Sequence, residues 1–291
     1  MARKRTFTGP NRTGELKLHF HERVVRRDLR VARVEDLTRR YRRITLVGDD
    51  LAGGFPFARF APLDHVRAFF PNPETGELVA YREGADHEWV LEGSGDPIHR
   101  DYTVRAWDPD TSELSLEFVL HEHGVAGRWA RTAAPGDLLV VNGPSAHWFL
   151  PENYPHYLVA GDETALPMIA RIIEEAPSGC RVTAVVEVAA ASDELALKGV
   201  AELDLHWVHR TSAQVGEGHL SPLETALRDC PLPDDLASLF VVIAGETNAL
   251  RPIRRYFRHE LGLAKKQLVI DGYWKRGVAD FDHHDVDFDE D

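Results

Sequence analysis

The chain has 291 residues, 43% of them hydrophobic and 28% charged, enough apolar material for one large domain or two of medium size. A net charge of -13 argues against nucleic acid or an anionic membrane as a partner of the whole molecule. Cys180 and Cys230 lie far apart and suggest no disulfide framework, and no apolar run is long enough for a membrane span or a secretory signal, so a cytoplasmic location is expected.

Charge is unevenly spread. Residues 1–43 hold 14 of the 34 Lys and Arg, and residues 280–291 hold seven acids and no base. Runs of this kind read as solvated tails, so residues 1–23 are expected to form a basic flexible N-terminus and 280–291 an acidic tail. His283-His284 falls inside that tail and is read as solvated rather than metal-binding.

From Val31 to Asn142 the pattern is that of short strands. Val31–Val34 and Tyr41–Val47 form a pair, and Asp64–Phe70 follows, halted by Pro71-Asn-Pro73. Residues 71–99 are polar and rich in glycine, and read as a long loop or lid. A strand-like run then carries Arg100-Asp-Tyr-Thr-Val-Arg105, with Glu113–Leu120 and Leu138–Val141 beyond it. Six strands with turn signals predict a small antiparallel barrel over residues 24–150.

Two stretches of this half carry chemistry. Arg100, Tyr102 and Thr103 bring a guanidinium, an aromatic ring and a hydroxyl onto four consecutive residues, which suits a planar, phosphate-bearing cofactor. His121-Glu-His-Gly124-Val-Ala-Gly127 is a glycine turn entering a helix, where free N–H groups can meet a pyrophosphate. No cysteine or further histidine joins His121 and His123 at ligand spacing, so no metal is expected there.

After the Pro-rich junction 143–155 the texture changes to alternating strands and helices, which predicts a doubly wound parallel sheet over residues 151–279. The strands are His156–Ala160, Arg181–Val188, Leu205–Val208, Ser238–Ala244 and Leu268–Trp274. The helices are Met168–Ala176, Asp193–Gly199, Pro222–Cys230 and Thr247–Leu261. Two loops of like texture, Gly161-Asp162-Glu163-Thr164 and Gly245-Glu246, fall at strand ends where such sheets bind ligands, although neither is a GxGxxG motif.

The ordered set Asp64-His-Val-Arg67, Arg100–Arg105, Phe118–His121, Gly124–Ala130, Pro135-Gly-Asp137, Gly161–Pro167, Ala244-Gly-Glu246 and Tyr273-Trp-Lys-Arg-Gly277 resembles the siderophore-interacting proteins, within the ferredoxin–NADP reductase superfamily. The resemblance covers roughly residues 24–278. It implies an FAD-dependent reductase that passes electrons from NADPH or NADH, or from a ferredoxin, to the Fe(III) of a siderophore. It also implies flavin contacts from Arg100, Tyr102, Thr103, Val104, Phe118, Leu120 and His121, with Tyr102 stacking on the isoalloxazine and Thr103 near its reactive nitrogen. Gly124, Val125, Ala126 and Gly127 would hold the pyrophosphate. Gly161 to Thr164 and Gly245-Glu246 would face the nicotinamide. Arg210 follows the strand Leu205–Val208 and is expected to meet a 2′-phosphate. Arg67, Lys275 and Arg276 would draw in an anionic substrate, with Arg105 and Arg128 as weaker candidates. A siderophore-binding protein without turnover and a general flavin reductase are the alternative readings.

Overall fold

The computed structural model describes residues 9–85, 88–121, 124–199, 201–210, 220–278 and 281. The first half contains β1 (Lys17–Phe20), β2 (Arg26–Asp36), β3 (Tyr41–Val47), β4 (His65–Phe70), β5 (Ala80–Glu83), β6 (Trp89–Glu92), β7 (Ile98–Thr103), β8 (Ala106–Asp108), β9 (Glu113–Val119), α1 (Val125–Thr132), β10 (Leu138–Asn142) and β11 (Ala146–Phe149). Seven of these strands form one antiparallel sheet in the order β7-β4-β10-β2-β3-β9-β8. Its two edge strands, β7 and β8, are joined by only Val104 and Arg105. Three residue steps reach at most about 11 Å, so the sheet must curl until its edges meet. The barrel interior follows from the alternation the strands carry: Leu29 and Val31, Ile44 and Leu46, Val66 and Ala68, Leu114 and Leu116, Leu139 and Val141 are all buried in one core. Helix α1 closes that core with Ala126 and Ala130.

Three features of this half differ from expectation. Residues 9–20 are not a flexible tail: β1 pairs with β11, and the buried Asn11 side chain donates to the carbonyls of Glu15 (2.9 Å) and Phe149 (3.0 Å). Residues 71–99 are not all loop, since β5 and β6 form an antiparallel hairpin within them. The Arg100–Trp107 run is broken in the middle, where the Val104 N–H turns to the Asp64 carbonyl (2.9 Å) and the Arg105 N–H to Ser115 (3.1 Å). Residues 1–8, His123 and His283-His284 lie outside the described residues.

The second half contains β12 (His156–Asp162), α2 (Leu166–Glu175), β13 (Arg181–Val188), β14 (Glu202–His209), α3 (Pro222–Asp229), β15 (Leu239–Glu246), α4 (Thr247–Arg255) and β16 (Leu268–Trp274). All five strands run parallel in the order β14-β13-β12-β15-β16. Tyr157 and Val159 of β12 face the layer that holds α2, while Leu158 and Ala160 face α3 and α4. The sheet is therefore covered on both faces, as near-continuous apolar strands require. Chain order reverses between β12 and β15, which puts the switch point at Gly161-Asp162 and Ala244–Glu246. The helix expected over Asp193–Gly199 is absent. A short 3-10 turn at Ala191–Asp193 leads into chain without regular structure whose Leu195 and Leu197, two residues apart, both pack on the core.

The two halves share one core. Tyr41, Phe60 and Leu63 of the barrel side pack in the same cluster as Ile169 and Ile172 of α2. Arg171, on α2 and fully buried, reaches across and donates to the backbone carbonyls of Ala58 (2.7 Å), Ala61 (3.0 Å) and Val104 (3.1 Å). Glu175 accepts from the same guanidinium at 2.8 Å, so the buried charge is paired and hydrogen-bonded.

Candidate active site

The Tyr102 ring stands at the barrel edge against Phe118, 4.3 Å between centroids, and Phe70, 6.1 Å away, with Trp129 of α1 behind both. Tyr102 is half-buried, and burial pushes its phenol above its ordinary value, so the ring stays neutral at physiological pH. Phe118 is fully buried beneath it and supports the ring. Val104 is buried as well. Its side chain lies in the barrel core, its N–H is bonded to Asp64 and its carbonyl to Arg171. Leu120 is half-buried against the barrel core and donates its N–H to Arg40 (2.7 Å). Arg100, half-buried on the same strand, donates to the His99 carbonyl. Thr103 is almost buried, and its hydroxyl lies near the phenol of Tyr273, which comes from β16 of the other half.

The first turn of α1 completes this face. Gly124 precedes the helix at φ +86°, a left-handed conformation that favours glycine, and it supplies no side-chain cap. No acid occupies the first turn, so among the described residues of the turn the positive end of the helix meets no carboxylate. Val125 and Ala126 turn their side chains into the barrel core and leave only backbone to a ligand. The His121 ring lies against the glycines: a Cβ on Gly127 would sit 2.8 Å from its Cε1 and Nε2. An aromatic face, a short hydroxyl, a guanidinium and an uncapped glycine helix start are donors of the kind that FAD needs.

At the switch point the polar groups are used differently. Asp162 accepts the Thr164 N–H (2.9 Å) and hydroxyl (2.5 Å) on one oxygen, and the Glu246 N–H (3.0 Å) and Trp274 indole N–H (2.8 Å) on the other. It thereby braces the ends of β12, β15 and β16. Glu246 caps α4 through Ala249 N–H (2.8 Å) and holds the Arg276 N–H (3.0 Å). Gly161 is demanded by packing, since a Cβ there would sit 2.1 Å from the Ala244 carbonyl oxygen. Arg210 is paired with Glu163 and lies 3.8 Å from Glu187. Burial pushes both of those carboxyls above their ordinary values despite the opposing pull of Arg210.

Two family models cover this architecture in order: a siderophore-interacting FAD-binding domain over residues 30–148 and the siderophore-interacting protein domain over 154–277. A ferric vibriobactin reductase of Vibrio cholerae is 31% identical over 266 residues, which are 91% of this chain and 94% of that protein. The chain belongs to the siderophore-interacting protein family. An NADPH-dependent ferric-chelate reductase of Escherichia coli K12 is 30% identical, covering 80% of this chain and 87% of that one. The crystal structure of a siderophore utilization protein from T. fusca superposes with a TM-score of 0.82 at 41% identity, over 93% of this chain and all of that one. Membership brings FAD as resident cofactor and NAD(P)H as donor, and the FAD-binding domain is the half that carries Tyr102 and Gly124.

Within this siderophore-interacting protein the expected cations separate. Arg67 is held in a bidentate pair with Asp101 (3.0 and 3.1 Å), so its charge is compensated. Arg105 is clamped by Glu174 of α2, with Glu117 3.4 Å from its Nε, so its charge is compensated. Lys275 and Arg276 lie on the turn after β16, and neither side chain has an ion pair among the described residues. Arg128 is exposed on the first turn of α1. Arg210 is already shared by two carboxylates, Glu163 and Glu187.

Three residues were missed in the sequence. Tyr273 and Trp274 join the barrel motif and the switch-point brace to β16, and only the resemblance had pointed to their stretch. Arg171 carried a plainer signal, a lone arginine within the apolar run Met168–Ile173. Such a residue in a helix that packs on both sides is a cross-link in waiting.

Proposed function

We propose that this chain is an FAD-dependent reductase that takes electrons from NAD(P)H and delivers them to the Fe(III) of a siderophore in the cytoplasm. The observation that carries the reading is the shared core of the two halves, in which Arg171 of α2 holds the Val104 carbonyl directly after Thr103 and so sets the flavin motif against the nicotinamide half. Tyr102 offers its ring face to the isoalloxazine, and Arg100 with the first-turn N–H groups of α1 holds the pyrophosphate. A cleft of about 990 Å³ continues from His121 between the Asp36–Arg42 hairpin and Ala190–Asp193, with volume enough for the rest of the dinucleotide. FAD, when bound, converts one hydride into two single-electron transfers, so one donor molecule serves two Fe(III) ions.

The side chains here do the positioning. Thr103 would donate toward the reactive ring nitrogen. The Asp162 brace fixes the carboxyl ends of β12, β15 and β16 where the nicotinamide enters. Lys275 and Arg276 raise the local concentration of an anionic ferric siderophore, and the iron remains in its own chelator. Among the described residues no group of three His, Cys, Asp or Glu is placed to hold a metal. Ferrous iron is bound far less tightly by hard oxygen donors, so reduction loosens it. No helix of the described residues is long and apolar enough to cross a membrane, and both cysteines are free and buried. Steady-state oxidation of NADPH and of NADH with a panel of ferric siderophores tests the reading. A flavin-loaded protein that reduces quinones but no ferric siderophore would sink it.

A further inference from the structure

A second pocket, of about 430 Å³, opens at the barrel rim where three segments meet: His21 to Arg27, Gly53 to Pro56, and Gly143-Pro144. None of the residues given to FAD or to the nicotinamide lines it. Arg27 is 5% exposed and pairs with no carboxylate among the described residues. Its Nη1 donates to the carbonyls of Gly143 (2.8 Å) and Val25 (3.2 Å), and its guanidinium lies over the Phe55 ring at 4.9 Å. Its Nε is buried and has no acceptor from the protein. His21 Nε2, on the same pocket, is likewise buried and unpartnered. Arg23, the other cation of the rim, is already paired with Glu83 at 2.8 Å.

Buried charges are normally paired, and an unpaired guanidinium in the rim of a pocket is an incomplete ion pair. The carbonyls fix one corner of the fork, and the Phe55 ring fixes its plane. What remains is the Nε–Nη2 edge, whose two parallel N–H groups match the two oxygens of a carboxylate. The charge count points the same way. Burial, with help from His147, His19 and Arg27 and against Asp64, keeps the His21 imidazole below its ordinary value and therefore neutral at physiological pH. Asp50 offsets part of the Arg27 charge from beyond ion-pair distance, so the guanidinium still lacks a direct partner, with a neutral imidazole beside it to exchange one more hydrogen bond. Room is provided by Gly53 and Gly54, where nothing lies within 4 Å of a Cβ position.

We infer that this rim pocket binds a single carboxylate group, seated on the Nε–Nη2 edge of Arg27 and hydrogen-bonded by His21. The carboxylate belongs either to a small free acid or to one arm of a larger chelator. Imidazole NMR of His21 in the FAD-loaded protein, titrated with acetate, phosphate, ferric citrate and a carboxylate-free ferric hydroxamate, tests it. Saturable shifts with acetate are expected, with Arg27→Gln weakening binding about tenfold or more, the loss of a charge-assisted hydrogen bond. Gly53→Leu should block the pocket without touching either donor, and both variants should keep parental FAD content and parental turnover of the hydroxamate. Tighter binding of ferric citrate than of acetate assigns the site to a chelator arm, and equal or weaker binding assigns it to a free acid. Phosphate or the hydroxamate shifting His21 as well as acetate does, or acetate binding that survives Arg27→Gln unchanged, overturns the inference.

Discussion

The barrel face and the switch-point loops are both made of short polar motifs, but they dispose of their polar atoms in opposite ways. On the barrel, the first turn of α1 has no side-chain cap and no acid, and Tyr102 leaves part of its ring uncovered. At the ends of β12, β15 and β16, Asp162 accepts four hydrogen bonds and Glu246 two, while Glu163 holds Arg210. The first region keeps unsatisfied donors for a ligand. The second spends its side chains on a rigid frame and has mainly shape and backbone to offer. A polar motif at a strand end is therefore not in itself a binding motif; what matters is whether its hydrogen bonds are already made.

Removing a brace should cost folding, and removing a ligand contact should cost affinity. Asp162→Ala is expected to have the largest effect, on the order of 3–5 kcal/mol of stability in urea unfolding, because it leaves the Glu246 and Trp274 N–H groups without their acceptor. Arg171→Met comes next, at about 3 kcal/mol, since three barrel carbonyls lose their donor and Glu175 loses its partner. It should also weaken FAD retention, because the Val104 carbonyl it holds follows directly on Thr103. Arg100→Ala should leave unfolding of the apoprotein nearly unchanged and lower FAD affinity by about 1.5–3 kcal/mol in a fluorescence titration. Equal loss of stability and affinity in that variant would erase the distinction between the two regions.

Smaller effects sharpen the same contrast. Lys275→Gln with Arg276→Gln should raise the apparent KM for an anionic ferric siderophore several-fold at low salt, with the difference fading as salt is added. Flavin content should not change. The smallest effect is a pH slope. Glu163 and Glu187 have carboxyls raised by burial, so their native forms hold protons more tightly than the unfolded chain does. Stability is then greatest below the ordinary carboxylate value and declines as pH rises from there through the raised values. Glu163→Gln should flatten that part of the stability profile, and an unaltered slope would show that the buried carboxyls do not titrate as described.

The frame was largely legible in the sequence. Tyr41–Val47, Arg181–Val188 and Leu268–Trp274 form strands over the very residues whose alternation or β-branched content marks them. Elements that were misread have local signals in conflict. Lys17-Leu-His-Phe20 alternates, but its basic surroundings and the exposure of Leu18 and Phe20 make it look like tail. Asp193–Gly199 has helix-forming residues, yet its leucines recur at a spacing of two, and tertiary packing follows the leucines. At the site, residue types pointed to the cofactor, while the state of each charge was hidden. That Arg67 faces Asp101 and Arg210 faces two acids depends on neighbours across strands and loops, which no linear spacing records.

The central claim is that the barrel motif and the nicotinamide half act as one electron path to ferric siderophore. Anaerobic spectroscopy of the FAD-loaded protein follows that path in a single cuvette. Adding one equivalent of NADPH or NADH should bleach the flavin band, and adding ferric siderophore should restore it, with two ferrous ions trapped per donor molecule consumed. A flavin that is bleached by the donor and then stays reduced in the presence of ferric siderophore would contradict the account.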